Sequence, residues 1–489
     1  MSPILLFSFV IVYFLLLLAV AFYTSRNSNN ETFFIGNKSS NWMLVAFGMI
    51  GTSLSGVTFV SVPGTVGTNL PGGAGHPGFA YFQVVIGYLI GYVVIAYVLL
   101  PLYYRLNLTS IYKYLDQRFG NTSHKTGAFF FIISRTLGAT ARLFLVINVM
   151  QLFILNKMGV PFWLTTLVIL MMILLYTFKG GVKTIVWTDT LQTSFMLIGL
   201  VVCVVFIMSH LHLSFSQTMS SLSENGLTRI FNFDVNSNGF FIKQILGGAF
   251  ITIAMTGLDQ EMMQKNISVK NLRDSQKNMM SFSIIIVVVN FLFLLLGGLL
   301  YLYAAEKGIA VKGDDLFPTI SMQYLPGIIS IIFIIGLISA LFPSADGAIT
   351  ALTSSFCIDI LGLKKRTDLT EEKSMRIRKA VHISFAVLFM ISVMVFKWID
   401  NKSIINVILK VAGYTYGPLL GLFAFGILTR KKLNERYVPV ICLAAPLACF
   451  FLDKYQSNLM GKFQIGIELL ILNGLLTFLG LLIISKKHG

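Results

Sequence analysis

Long apolar segments recur along this chain and restrict what it can fold into. Thirteen of them approach the roughly 20 residues that a helix needs to cross a hydrocarbon core of about 30 Å. The whole chain of 489 residues is 56% hydrophobic and only 12% charged. Inside lipid every backbone polar group must be bonded internally, which leaves helices for segments of this length. We therefore predict an all-α polytopic membrane protein with about 13 transmembrane helices in a lipid bilayer.

The predicted spans are separated by short polar loops. The longest hydrophilic stretch, 210–243, has about thirty residues, too few for a separate domain, so residues 1–489 are predicted to form one transmembrane domain. The spans are predicted near 3–23, 42–67, 77–105, 126–155, 161–181, 185–209, 240–264, 278–306, 327–361, 380–396, 403–428, 437–452 and 464–485.

Lysine and arginine are distributed unevenly between the two sets of loops. The formal net charge is +17, and loops that follow odd-numbered spans hold about three times as many basic residues as the others, which marks them as cytoplasmic. This predicts an integral protein of the cell (inner) membrane, with the N-terminus outside and the C-terminus in the cytoplasm. The charge gives no reason to expect nucleic acid, because no soluble basic face interleaved with aromatic residues is available.

Two apolar segments are interrupted by residues that weaken helices. Span 2 contains Gly51, Gly56 and Pro63, and span 7 contains Gly247, Gly248 and Gly257. The two segments are five spans apart and therefore cross the membrane in opposite directions. Paired interrupted helices in two inverted halves indicate a transporter's midplane site, where unwound backbone can bind ions. The alternative is that these glycines only allow close helix packing.

Span 9 combines several features that suit a hard cation. Ala340 and Ser344 are four residues apart and share a helix face. Pro343 has no N–H group and frees the carbonyl of Ser339 beside the Ser344 hydroxyl. Asp346 adds a carboxylate deep in the span, where an ionisable group is costly unless it is paired or functional. We expect a sodium ion, the coupling ion, and no other metal and no cofactor.

A second acidic residue, Asp189, lies at the start of span 6. Two interpretations remain open for it. Its carboxylate can cap the helix N-terminus, where negative charge interacts favourably with the helix dipole. It can also serve, with Asp346, a second cation site or the path by which a cation is released to the inside.

Buried positive charge suggests the class of solute. Arg135 and Arg142 are seven residues apart in span 4 and share one face, and Lys410 in span 11 is predicted to be a third buried cation. Arg142 lies about 24 Å along the helix from its inner end, and an arginine fork suits a carboxylate. Alternatively it pairs with helix carbonyls or with Asp189. Arg135 is predicted to be structural. The excess of cations favours an anionic solute, for which Gln83 is a further polar contact.

Three motifs resemble the sodium:solute symporter family. They are Lys179-Gly180-Gly181 followed by Trp187-Thr188-Asp189 and Gln192, then Gly257-Leu258-Asp259-Gln260 with Gln264-Lys265, and Gly417-Pro418-Leu419-Leu420-Gly421-Leu422. The resemblance covers about 42–430 and implies the leucine-transporter fold, with two inverted five-helix repeats. The first repeat would then be about 42–209 and the second about 240–428, with peripheral helices 3–23, 437–452 and 464–485.

The family resemblance implies one sodium site between the break in the first core helix and the eighth core helix. By position its ligands are the carbonyl oxygens of Gly51, Leu54 and Ala340 and the hydroxyl of Ser344. Members of the family usually have a second serine where this chain has Pro343. Members with a second sodium site use the aspartate that matches Asp189, with small polar residues near Asp346 and Gly347.

The resemblance extends to bacterial sialic-acid and sugar symporters. In the sialic-acid members, the positions of Ser55 and Thr58 contact the sugar acid, and Arg142 falls near the arginine that binds its carboxylate. By fold analogy Thr252 and Thr256 face the same region. The implied function is sodium-coupled import of a small organic solute by alternating access, the solute being an anionic sugar acid or carboxylate.

Other function classes remain as alternatives. A sodium-coupled symporter of a neutral sugar or another solute is the nearest, and a channel is a remote one. A membrane-embedded enzyme is disfavoured because the six histidines fall almost entirely in loops or at span ends and show no metal-ligand spacing.

Overall fold

The described part of the chain is all-α apart from one short pair of strands. A computed structural model describes residues 2–25, 40–69, 78–363, 366, 368–399 and 404–486. The helices are α1 (Pro3–Thr24), α2 (Trp42–Ser53), α3 (Gly56–Thr65), α4 (Tyr81–Arg105), α5 (Asn121–Met158), α6 (Phe162–His210), α7 (Phe215–Glu224), α8 (Phe241–Gly257), α9 (Gln260–Ile267), α10 (Leu272–Lys307), α11 (Gly327–Ile360), α12 (Glu371–Ile399), α13 (Ile404–Thr415), α14 (Gly417–Leu428), α15 (Val438–Lys454) and α16 (Leu469–Ile483).

Shorter elements lie between these helices. Single helical turns occupy Lys113–Arg118, Leu316–Thr319 and Gln456–Met460. Strands β1 (Lys432–Leu433) and β2 (Ser485–Lys486) are antiparallel, with Lys432 opposite Lys486. This pair joins the loop before α15 to the segment after α16.

The apolar helices follow the predicted order. In the described part of the chain, eight helices are long and apolar enough to cross a membrane, and three helix pairs bent at a short break bring the number to 11. Two shorter apolar stretches, the first part of α6 (Phe162–Thr177) and α16 (Leu469–Ile483), lie where the fifth and thirteenth spans are predicted. The polytopic all-α class is confirmed, while a total of thirteen spans stays a prediction.

Both predicted breaks are present. The axes of α2 and α3 differ by 57°, and those of α8 and α9 by 65°. At the first break Leu54 ends α2 and Ser55 has extended backbone, with φ −71° and ψ 175°. At the second, a π-helical turn at Ile253–Gly257 precedes Asp259, whose carboxylate caps α9 by accepting from the N–H groups of Glu261 and Met262.

A third break was not foreseen from the sequence. Helices α13 and α14 meet at 46°, and Pro418 lies in the first turn of α14. A proline in the first turn of a helix is favourable there but cannot continue a preceding helix. The glycine and proline motif that marked the family resemblance therefore also bends span 11.

Tyrosine hydroxyls compensate for the backbone bonds that are lost at the second break. Tyr103 donates to the Gly257 carbonyl at 2.8 Å, and Tyr112 donates to the Leu258 carbonyl at 2.8 Å. Both tyrosines are fully buried. Because a buried carbonyl without a partner is costly, these two hydroxyls help the chain to keep an unwound segment at membrane depth.

We expect Tyr112→Phe to destabilise the protein. The substitution leaves the buried Leu258 carbonyl without its partner, so the free energy of unfolding should fall by about 1–3 kcal/mol. Thermal unfolding of the purified protein would measure the effect. Tyr97→Phe is the matched control, because Tyr97 is 59% exposed. Equal unfolding temperatures for the two variants would contradict this role of Tyr112.

Candidate functional site

A cavity of about 100 Å³ lies against the first break. Its wall is built by the α2–α3 break together with α4, α5, α8, α9, α10 and α13. The lining residues are Thr52, Ser53, Leu54, Ser55, Val57, Thr58, Tyr81, Tyr88, Tyr92, Arg135, Arg142, Ile251, Thr252, Met255, Thr256, Met262, Ile286, Asn290, Ile405, Ile408 and Leu409.

Five of the six residues predicted to contact the solute line this cavity. They come from three helices and the break, and they are Ser55, Thr58, Arg142, Thr252 and Thr256. The sixth, Gln83, is not brought to the cavity. It is fully buried behind a vestibule beside the cavity, where its amide donates to the Ala80 carbonyl at 3.0 Å and its oxygen accepts from Asn232 N at 3.2 Å. These backbone contacts support a loop and occupy its polar atoms.

The two arginines of α5 have different surroundings. Arg135 is ion-paired with Glu261, and its Nη1 atom lies 3.9 Å from Asp259 Oδ2. Arg142 is partly exposed on the cavity wall and forms no ion pair with any residue that the structure describes. The pairing of Arg135 agrees with the structural role predicted for it. Arg142, in contrast, faces the cavity without a counter-ion from the described part of the chain.

Aromatic and amide groups complete the cavity wall beside Arg142. The hydroxyls of Tyr81 and Tyr88 are 2.9 Å apart, and Tyr92 lies one turn further along α4. The Asn290 amide donates to Ile286 O at 2.8 Å, while its Oδ1 atom is buried without a hydrogen-bond partner in the described chain. The sequence does not single out these groups, since tyrosines and an asparagine within an apolar run have no spacing that distinguishes them.

The residues proposed as sodium ligands lie in two neighbouring helices. Gly51 is in the last turn of α2, Leu54 is at its end, and Ala340 and Ser344 are buried in α11. A Cβ atom added to Gly51 would overlap the Thr193 hydroxyl and lie 3.4 Å from Pro343 Cγ. The glycine thus allows the broken helix to lie directly against the proline of α11, as a shared ion site requires.

The oxygen chemistry of these residues fits a sodium ion. The Ser344 hydroxyl donates its proton to the Leu341 carbonyl at 2.8 Å, which leaves its oxygen lone pairs free to bind a cation. The Ser339 hydroxyl instead donates to the Tyr13 hydroxyl at 2.7 Å. Pro343 cannot donate to the Ser339 carbonyl. Neutral oxygens of this kind are the ligands that hard cations prefer.

The predicted bounds of span 7, 240–264, put the partner of Asp189 at the start of the cytoplasmic loop that follows. Lys265 is only 3% exposed, and its Nζ atom lies 2.6 Å from Asp189 Oδ2 and 2.6 Å from Thr52 Oγ1. The placement of Lys265 in a loop is wrong because α9 continues span 7 to Ile267. The hydrophobic run ends earlier than the helix does, so a prediction from apolarity alone ends span 7 too early in the sequence.

Asp346 is held without a cation. Its Oδ2 atom accepts from the Tyr176 hydroxyl at 2.8 Å, and its Oδ1 atom accepts from Gly347 N at 2.5 Å. It forms no ion pair with the residues described in the structure. Asp189 and Asp346 are both fully buried, and both lie on helices that contact the break.

This vestibule has a volume of about 500 Å³, adjoins the cavity and shares Tyr81, Ile405 and Leu409 with its wall. Lys410 lines the vestibule and pairs with Asp453 at 2.7 Å. Its side chain is 60% exposed, so the prediction of a buried cation is wrong at this position. An apolar run does not reveal which of its faces borders a water-accessible space.

Comparisons with known proteins agree with this architecture. The model of the sodium:solute symporter family matches residues 33–436. The sodium-coupled monocarboxylate transporter 1 of Mus musculus is 25% identical over 83% of this chain and 66% of its own length. The sodium/sialic acid symporter SiaT of Proteus mirabilis is 20% identical over 91% of this chain and 88% of its own length. The sodium/glucose cotransporter 1 of Oryctolagus cuniculus is 22% identical over 88% of this chain and 68% of its own length.

A solved structure shows the same fold. The substrate-bound outward-open state of a sodium-coupled sialic acid symporter has a TM-score of 0.83 with this chain, at 18% identity and with 99% of each chain covered. The chain spans 66% of the mouse transporter's length, so that protein is longer than the part compared. The family model covers most of the chain and includes every motif on which the resemblance rests. The chain therefore belongs to the sodium:solute symporter family.

Proposed function

We propose that this protein imports a small organic solute that carries a carboxylate, such as a sugar acid or a monocarboxylate, together with sodium. One observation carries the choice of an anion: Arg142 lines the cavity with no counter-ion among the described residues. An arginine within a membrane span is costly and faces a cavity or a partner. A carboxylate would supply that partner in two parallel hydrogen bonds.

Neighbouring groups support the binding of a polar acid. The Tyr81 and Tyr88 hydroxyls and the threonines of α8 offer hydrogen bonds to hydroxyl or carbonyl groups on the solute. The relatives named above transport sialic acid or monocarboxylates, according to their descriptions. A neutral sugar is the second candidate, because the same hydroxyls suit it and a sodium/glucose cotransporter also matches the chain.

Sodium would bind between α2 and α11 through the carbonyls of Gly51, Leu54 and Ala340 and the Ser344 hydroxyl. The Leu54 carbonyl would face the ion, and Ser55, the next residue, lines the solute cavity. Sodium that orders this break would therefore order part of the solute site as well. Such shared ordering makes the binding of each ligand favour the other, which is the basis of symport.

The side of the membrane to which the vestibule opens follows from the proposed topology, with the N-terminus outside and the C-terminus in the cytoplasm. The support is the excess of lysine and arginine in loops after odd-numbered spans. The vestibule beside the cavity would then open to the outside, because it is bordered by the segment between α15 and α16, including Gln456 and Ile465.

Arg142→Lys should lose most solute uptake. Lysine cannot reproduce the bidentate contact, and losing a charge-assisted hydrogen bond corresponds to roughly a tenfold or greater loss of apparent affinity. Uptake from a panel of labelled sugar acids, sugars and carboxylates into proteoliposomes, with and without a sodium gradient, would measure it. Arg376→Lys, at an exposed position, is the control. Normal transport by Arg142→Lys, or a neutral hexose as the best solute, would refute the anion assignment.

Ser344→Ala should raise the sodium concentration needed for half-maximal uptake. The loss of one ligand corresponds to about 1–3 kcal/mol, or roughly 5- to 150-fold. Ser330→Ala is a suitable control on the same helix, because the Ser330 hydroxyl bonds to Ser321 O at 2.8 Å. A sodium dependence of Ser344→Ala that equals that of Ser330→Ala in folded protein would remove Ser344 from the site.

Cysteine labelling of intact cells should reveal the topology. A cysteine at Ser457 should react with an impermeant thiol reagent from outside, and one at Thr370 should react only after the membrane is opened. Both positions are exposed, and the four native cysteines are buried, so background labelling should be low. The opposite pattern would reverse the proposed orientation.

A further inference from the structure

A second cavity, of about 180 Å³, lies between α1, the end of α5, the beginning of α6 and the middle of α11, and shares no lining residue with the solute cavity. We propose that it binds an acyl chain of one phospholipid with an anionic headgroup. The lipid would come from the leaflet at the end of the molecule where α1, α6 and α11 begin, which is the outer leaflet in the proposed topology. The inference concerns lipid binding and does not depend on the solute or on sodium coupling.

The chemistry of the cavity wall selects an apolar occupant. Every residue that lines it is apolar except Thr165, whose hydroxyl donates to Gln151 Oε1 at 2.5 Å. A water molecule in a cavity needs two to four polar partners, and apolar cavities of comparable size stay dry and take up apolar ligands. The occupant that fits this wall is therefore a hydrocarbon.

The cavity leads inward from the surface that faces lipid. Met158 and Val168 line its mouth and belong to the exposed apolar side chains of the protein. Met172 and Phe342 line its inner end and are buried. Met172 lies about 15 Å along α6 from the first residue, Phe162, and half of a hydrocarbon core has about the same thickness. The depth of the cavity thus corresponds to one leaflet.

Basic and aromatic side chains lie at the end of the molecule where the cavity opens. Lys157 is exposed and directly precedes a residue of the mouth. Lys397 is also exposed, and its Nζ atom lies 5.0 Å from the centroid of the Phe162 ring. Trp163 and Trp398, both exposed, are of the type that concentrates at membrane interfaces. Two lysines at the level of the headgroups attract an anionic lipid.

An acyl chain in this cavity would contact the helix that carries part of the proposed sodium site. Ile338, Leu341 and Phe342 of α11 line the cavity, whereas Ala340 and Ser344 lie on a different face of the same turns. The chain would therefore support α11 from the side that faces away from the proposed ion. Bound lipid would in this way become part of the packing around that helix.

Photochemical cross-linking tests the acyl-chain site. The probe is phosphatidylglycerol with a diazirine on one acyl chain, added to wild-type protein in nanodiscs, and mass spectrometry locates the adducts after irradiation. We expect adducts on Met172 and Phe342, which lipids around the protein cannot reach because both residues are buried. Val168→Trp fills the mouth and should remove most of these adducts. Val201→Trp, at an exposed position of α6 that does not line the cavity, should retain them.

The same probe tests the headgroup. The double variant Lys157→Gln with Lys397→Gln should lower the yield of buried adducts to that obtained with phosphatidylcholine carrying the same chain. Lys462→Gln, at an exposed lysine that lies away from this cavity, is the control. Equal yields from the two lipids with wild type would overturn the anionic headgroup. Adducts confined to exposed residues such as Val201 would overturn the site itself, and neither result would affect the proposed transport function.

Discussion

The requirement that backbone groups be bonded inside the membrane determines how this protein can form a binding site. A continuous helix satisfies its own peptide groups and has none to offer a ligand, so a site made from backbone requires a break. Each break leaves carbonyl and N–H groups that need other partners. Here Tyr103 and Tyr112 bond to the carbonyls of the second break, and the Asp259 carboxylate caps the helix that follows.

The charged residues buried in the poorly solvated interior differ in their ion-pair partners. Arg135, Glu261 and Asp259 form one set, and Lys265 with Asp189 forms another, while the buried Asp346 carboxylate accepts from the Tyr176 hydroxyl and the Gly347 N–H group. The first set connects α9 to α5, and the second connects α9 to α6. Arg142 differs because its side chain reaches the cavity and not a carboxylate of the described chain.

Much of this architecture could be predicted from the sequence because it depends on local chemistry. Glycine and proline within apolar runs mark the first two breaks, and the spacing of Arg135 and Arg142 places both on one face of α5. What could not be predicted depends on tertiary contacts. The burial of Lys265 follows from where α9 ends, and the exposure of Lys410 follows from a vestibule that no local pattern reveals. Gln83 supports a loop for the same reason, since its partners are distant in sequence.

The charge pair in the vestibule has a consequence for the kinetics of solute capture. Lys410 and Asp453 are the charged residues among the described lining of that space, and they neutralise each other. A neutral entrance does not concentrate anions or guide them along field lines. Solutes of either charge would then enter by diffusion at rates that depend little on ionic strength, and discrimination would begin only at Arg142. Selectivity in such a protein resides in how long a solute stays, not in how often it arrives.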